Sequence, residues 1–445
     1  MSTLSTKTVF SCAAVLLALS AQHAAAVPFT LEQTLNNPTP GLFDQFGYSA
    51  SLSDDGSIAL VGARNDNTGA GNAGSAYLYD TTTGNLLQTL NNPTPEASDQ
   101  FGRSVSLSGD GSTALVGAAA DDTGAFNAGS AYLFDVSTGN LLQTLNNPTP
   151  VGGDQFGFSV SLSADGSTAL VGSVFDYTGT TNTGSAYLFD VSTGNLLQTL
   201  NNPTPAGGDQ FGYSVSLSAD GSTALVGART DDTGAVNAGS AYLFDVSTGN
   251  LLQTLNNPTP ATGDIFGESV SLSADGSTAL VGAFNDDTGA TNTGSAYLFD
   301  TATGNLLQTI NNPTPATSDQ FGVSVSLSGD GSTALVGAAA DDTGANAAGS
   351  AYLFDAANGA LLQTLNNPTP ASSDLFGFPV SLSGDGSTAL IGAISDDTGA
   401  QGAGSAYVYR DQAVDLPAPG SLLLLGSTLA VMAGLRLRRR RQGEG

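Results

Sequence analysis

The chain has 445 residues, 39 acidic side chains against ten basic ones, a net charge of −29, 57 glycines and a single cysteine. Between residues 27 and 415 there is no Lys, His, Cys or Trp, and four arginines face 38 carboxylates, a net charge of −34. Once the leader described next is removed, this composition excludes a Ser-His-Asp triad, a thiolate nucleophile, a Schiff-base lysine, a His or Cys zinc site and a disulfide framework, and its charge repels nucleic acid and anionic membrane surfaces.

The first element is a leader. Lys7, an apolar stretch from Val9 to Leu19, and Ala24-Ala25-Ala26 before Val27 combine a positive start, a short apolar core and a small-residue exit, the pattern of a secretory signal peptide over residues 1–26. Cys12 stands at the front of the apolar run, so it reads as an ordinary leader residue and not as a lipid anchor.

Residues 27–411 are an array. Phe-Gly pairs stand at Phe46, Phe101, Phe156, Phe211, Phe266, Phe321 and Phe376, each 55 residues after the last, and a fixed period of that length marks a repeat architecture. In the copy from 86 to 140, Leu86 to Leu90 is a short strand ended by Asn91-Asn92-Pro93-Thr94-Pro95, whose two prolines stop a ladder. Asp99-Gln100-Phe101-Gly102 follows, and then Ser104 to Ser108, which alternates small polar with apolar residues in the period of a strand. Asp110-Gly111 is a tight hairpin turn, and Thr113 to Ala118 is the next strand. A glycine-rich loop from Asp121 to Gly129 leads to the aromatic strand Ser130 to Phe134, and Thr138-Gly139-Asn140 turns it into the next L-L-Q-T-L. No helical period appears, so the expectation is an all-β fold with four antiparallel strands per repeat.

The ends of the array predict closure. Seven L-x-Q-T-[LI] strands begin at Leu31, Leu86, Leu141, Leu196, Leu251, Leu306 and Leu361, but the first precedes the first Phe-Gly pair and the last repeat ends at Tyr409 with none after it. The N-terminal strand therefore completes the last unit, a clasp that removes exposed edges and makes a seven-bladed β-propeller. An open β-solenoid is the alternative, although neither array end carries an obvious polar cap and the split unit has no purpose in it.

The pattern F-G-x-S-V-S-L-S-x-D-G-S-x-A-L-[VI]-G-A followed by G-S-A-Y-[LV]-[FY] resembles the FG-GAP repeat of integrin alpha-chain propellers and many bacterial exported proteins, over residues 29 to 410. The resemblance implies the same seven-bladed architecture. In that family the turn between the first two strands often holds calcium through several Asp or Asn ligands. Here the turn keeps generally one carboxylate, such as Asp110 or Asp165, far short of the six to eight oxygens calcium takes, so the site does not carry over and these residues read as turn chemistry.

A second acidic position recurs in the loop after the second strand. Asp121-Asp122, Asp231-Asp232 and Asp286-Asp287 are the candidates for a Ca2+ site, against the plainer reading that each Asp closes its own loop; no cofactor is expected. Antiparallel order places this loop and the N-N-P-T-P connector on one face, where the differences between copies gather. Arg64, Arg103, Tyr213, Arg229 and Phe284 are the candidate ligand-binding residues, with arginine for anions and aromatics for sugars or peptides. Against this stands the tolerance of exposed loops for any residue.

The tail, 412–445, carries an uncharged run from Leu416 to Leu435, followed by Arg436 and Arg438 to Arg441. Its length spans a bilayer as a transmembrane helix, and the arginines hold the C-terminus in the cytoplasm. It resembles the PEP-CTERM sorting signal of Gram-negative bacteria, with Pro417-Ala418-Pro419, an apolar helix and the arginine run; Ala418 replaces the usual glutamate. The resemblance implies processing by an exosortase. The sequence as a whole points to an exported, membrane-anchored protein of the cell surface or extracellular matrix, acting as a non-enzymatic binding or adhesion module for a polysaccharide or surface protein. The alternatives are a carboxylate-dependent glycoside-cleaving enzyme and a purely structural matrix component.

Overall fold

The computed structural model describes residues 28–177 and 182–412. The expected leader at 1–26 and the tail beyond 412, with its run 416–435, lie outside the described residues. Among those that are described, no helix is long and apolar enough to cross a membrane.

Phe29–Asp411 forms one compact unit of seven four-stranded antiparallel sheets. In the first blade the strands run outward from the axis as Phe46–Leu52, Ile58–Ala63, Ser75–Asp80 and Leu86–Asn91. The last blade is split as expected. Phe29–Asn36 pairs antiparallel with Ser405–Asp411, outside Thr388–Ala393 and Phe376–Leu382. Seven sheets of four strands, the last shared between the two ends of the array, make the closed propeller.

The serines of the innermost strands explain why a buried strand alternates polar with apolar residues. Ser51 Oγ accepts the Leu107 N–H at 3.0 Å, and Ser49 Oγ donates to the Gly102 carbonyl at 2.8 Å. Equivalent serine bonds join each blade to the next from the first to the seventh, giving these hydroxyls partners inside the seams. A second seam lies at the hairpin turns. Asp54 N–H bonds Gly109 C=O, Gly109 bonds Ala164, and so on through Ala219, Ala274, Gly329 and Gly384, until Asp385 N–H returns to Asp54 C=O at 2.9 Å. This closed circuit of backbone hydrogen bonds needs all seven blades in place.

The core lies between blades, not within them. Leu225, Leu243 and Leu255 of the fourth blade pack against Phe266, Tyr297 and Phe299 of the fifth, and the closing interface has the same form, with Leu35, Leu390 and Val408 against Phe46 and Tyr77. Each Phe of the Phe-Gly pair is fully buried beside two aromatic rings. Phe101 stands 5.8 Å from Tyr132 and 5.9 Å, edge on, from Phe134, arrangements that suit the aromatic quadrupole. The outermost strands leave leucine pairs such as Leu86 and Leu87 exposed on the rim.

One strand boundary departs from expectation. The innermost strand of the second blade starts at Phe101, not Ser104. Phe101 pairs with Ala118 and Ser104 with the adjacent Gly117, so Gly102 and Arg103 form a β-bulge. Simple alternation breaks across a bulge, which is why the residues suggested a loop there.

Candidate functional site

The bulge builds the site. Gly102 has φ near 84°, and a Cβ there would stand 2.4 Å from the Ser75 carbonyl of the preceding blade, so only glycine fits. The chain then turns the following side chain into the mouth of the central channel. Because every blade repeats the device, seven variable residues meet there: Tyr48, Arg103, Phe158, Tyr213, Glu268, Val323 and Phe378 line a cavity of about 150 Å³ together with Ser269 and Ser324.

Six of the seven form a continuous wall. Phe378 packs edge on against Tyr48 at 5.6 Å, the Arg103 guanidinium stands 5.7 Å from the Tyr48 ring and 3.7 Å over the Phe158 ring, and Phe158 lies 4.8 Å from Tyr213. Tyr213 donates its hydroxyl to Glu268 at 3.1 Å. Val323 is the one aliphatic member and the smallest side chain of the seven.

Arg64 and Arg229 enter from the residue after the second strand. Each lays its guanidinium 3.7 Å over a tyrosine, Tyr48 and Tyr213 respectively, and each donates Nε–H to the glutamine before Phe-Gly, Gln45 at 2.8 Å and Gln210 at 2.7 Å. Arg229 also pairs with Glu268 at 3.0 Å. Burial pushes the Glu268 carboxyl up, with the Arg229 charge and hydrogen bond opposing. Burial lowers the Arg64 guanidinium, and the like charge of Arg103 adds to that while Tyr48 opposes it.

The structure therefore brings together Arg64, Arg103, Tyr213 and Arg229. Arg103 and Tyr213 line the cavity, and Arg64 and Arg229 stand behind it, stacked on Tyr48 and Tyr213; Phe284, at the same position in the fifth blade, neither lines it nor stacks on a lining ring. One expectation is corrected: the variable residues after Phe-Gly lie in the innermost strands and face the channel, because the bulge re-aims them, and are not in exposed loops. Glu268, Tyr48, Phe158 and Phe378 complete the site. The signal for Glu268 is that it is the one acid at a position otherwise aromatic, basic or aliphatic. At the opposite end, the channel is ringed by seven leucines from Leu52 to Leu382, with Asp54 as the one carboxylate among the lining residues.

The repeated aspartates serve the loops. Asp121 accepts from the Tyr132 hydroxyl and, at 2.7 Å, from Thr123 N–H; Asp122 accepts from Asn127 N–H at 2.7 Å. Asp231-Asp232 and Asp286-Asp287 repeat the pattern through Tyr242, Thr233 and Asn237, and through Tyr297, Thr288 and Asn292. Among the described residues, no three His, Cys, Asp or Glu side chains are grouped to hold a metal. Treatment with EDTA is therefore expected to leave the melting temperature unchanged, since no ligand-linked stability is removed; a fall of many degrees would place a cation in these loops.

The aspartate before Phe-Gly caps the N-N-P-T-P connector. Asp99 accepts from Asn92 Nδ2 at 2.7 Å and from Glu96 N–H at 2.6 Å. Burial nevertheless pushes the carboxyls of Asp99, Asp154 and Asp209 up to about 6. The folded protein holds these protons more tightly than an unfolded chain, whose aspartates titrate near 3.8. Their stabilising contribution is thus complete below that value and lost as pH rises through about 6. The turn carboxyls of Asp110 and Asp220 run the other way: N–H and hydroxyl donors from Ser112 and Ser222 lower them, so their contribution is lost as pH falls through their folded values. Thermal melting across pH should show stability rising as pH falls from about 7 to about 4 and falling again at more acid pH; a melting temperature that drops steadily from neutral pH would contradict the assignment.

A family model described as FG-GAP repeat matches residues 40–79, 89–134, 149–189, 198–244, 253–299, 310–354 and 363–409, one match per blade. No curated protein matches the chain.

Proposed function

The chain belongs to the FG-GAP repeat family, whose β-propeller is a module typical of adhesion and binding, and from that premise we propose that it is an exported, non-enzymatic binding module. Its ligand is a polysaccharide or a surface protein, engaged at the mouth of the channel. One observation carries this reading: the repeated polar residues are used within the fold, whereas the chemistry that differs from blade to blade converges on a single cavity. Of the four arginines between residues 27 and 415, Arg103 lines it, and Arg64 and Arg229 stack on two of its tyrosines.

A glycosidase needs two carboxyl groups flanking one bond. Glu268 is the sole carboxylate among the residues lining the mouth, and it is engaged by Arg229 and Tyr213. Export rests on the leader at 1–26 and on the run 416–435 with its arginines, which would tether the propeller outside the inner membrane until an exosortase-type enzyme cuts near Pro417-Ala418-Pro419. Protease protection on intact and permeabilised cells tests this; a propeller found soluble in the cytoplasm would contradict it.

A glycan array combined with a reducing-sugar assay on the purified protein tests the function. Retention of a glycan without release of reducing ends is the expected result, and turnover would make the protein an enzyme. A second reading, a structural matrix component, is favoured by the rim, where exposed leucine pairs recur on uncharged outer strands. Such edges promote self-association, and sedimentation showing reversible assembly with an empty array would favour it.

A further inference from the structure

We infer that the channel mouth binds a carboxylate carried on a six-membered ring, the chemistry shared by the terminal uronate of an acidic glycan and by a free ring acid. This rests on the reading of the protein as a binding module and names the ligand class of that site.

The charge comes first. In a body of net charge −34, the mouth gathers three guanidiniums against one carboxylate. Arg229 pairs with Glu268 at 3.0 Å, whereas neither Arg64 nor Arg103 has a carboxylate in salt-bridge contact among the described residues. Two like charges held together in a partly buried site favour an anion as the missing partner and disfavour a cation.

Donor inventory then selects Arg103. Arg64 and Arg229 each use Nε–H on a glutamine. Arg103 Nε is buried with no hydrogen-bond partner, and the side chain reaches Gln100 only through Nη1 at 3.5 Å. Its planar fork therefore retains donors suited to bidentate pairing with a carboxylate. A buried unsatisfied N–H is costly, and an incoming carboxylate relieves that cost.

Shape supplies the ring. The cavity of about 150 Å³ is comparable to one that accommodates a single benzene ring. Its aromatic walls, Tyr48, Phe158, Tyr213 and Phe378, offer apolar surface, while the guanidiniums already cover faces of the first three. Ring edges, which carry the positive end of the quadrupole, remain to face an anion. An ion without a ring leaves those walls unfilled, and a neutral sugar leaves the charge unmet.

Calorimetry on the full chain at low salt tests this, using glucuronate, benzoate, glucose and acetate as probes. Saturable binding of glucuronate or benzoate is expected, with glucose and acetate at least about tenfold weaker, a difference of about 1.4 kcal/mol. Arg103→Gln should weaken the acid about tenfold or more, and so should Val323→Phe, which fills the cavity without removing charge. Both variants should keep the wild-type melting temperature; if one does not fold, the other decides. Glucuronate binding better than benzoate identifies a glycan terminus as the source, and the reverse order identifies a free ring acid. No saturation by either acid below about 10 mM, equal binding of glucose, or wild-type affinity in the variants overturns the inference. A glycan or protein partner whose binding survives Arg103→Gln would overturn this site while leaving the binding function intact, and an array that retains nothing would remove the function itself.

Discussion

Deleting residues 27–40 is expected to open the ring. Phe29–Asn36 supplies the outer strand of the last blade, pairing from Phe29 with Asp411 to Asn36 with Ser405. It is also held by both neighbours: Phe29 exchanges two hydrogen bonds of 2.8 Å with the Gln363 side chain of the sixth blade, and the Tyr79 hydroxyl of the first blade donates to Asn36 C=O at 2.8 Å. Leu35, buried in the closing interface, leaves with it. The truncated chain would expose the edge of Ser405–Asp411 and lose the covalent tie between first and last blades, so large destabilisation and concentration-dependent aggregation should follow. A truncated protein that stays monomeric with an unchanged melting temperature would show that the clasp does not hold the ring.

Phe211→Ala is expected to cost about 3–5 kcal/mol, the range for removing a fully buried phenylalanine. Phe211 is completely inaccessible and stands 5.8 Å from Tyr242 and 5.9 Å, edge on, from Phe244. The cavity would open between the third and fourth blades, where Leu170, Leu188 and Leu200 meet these rings, and close packing leaves little freedom to collapse. Leu197→Ala on the rim, with Leu197 47% exposed, serves as the control and should cost less than about 1 kcal/mol. Urea unfolding of both variants checks the pair; a similar small loss in each would mean that the Phe-Gly phenylalanines do not organise the core.

Architecture was legible because it depends on counting. The 55-residue step of Phe-Gly, the Asp-Gly hairpins and the displaced first strand at Leu31 together require seven four-stranded units with one unit split, and the sheets follow that order. The site was legible only in part. Arg64, Arg103, Tyr213 and Arg229 stood out as departures from the repeat, but alternation could not reveal the bulge at Gly102-Arg103, and without the bulge Arg103 reads as a loop residue. Packing across the mouth was hidden for a related reason. Tyr48 and Phe378 lie 330 positions apart in the chain and meet only because the ring closes. Phe284 shows the limit of reading variability as function, since it varies at the same position as Arg229 yet makes no ring contact with the lining residues, whereas Arg229 stacks on Tyr213 and pairs with Glu268.

Arginine footprinting tests most directly the claim that binding takes place at the channel mouth. The propeller contains Arg64, Arg103, Arg229 and Arg410; the first three stand at the mouth, and Arg410 lies in the last blade, bonded to Thr81 at 2.9 Å. Phenylglyoxal labelling of the full chain, followed by peptide mass spectrometry, would read each one separately with and without saturating glucuronate. Slower labelling of Arg103, with the Arg410 rate unchanged, is the predicted result. Equal labelling of Arg103 in both conditions, or protection confined to Arg410, would contradict the assignment of the site.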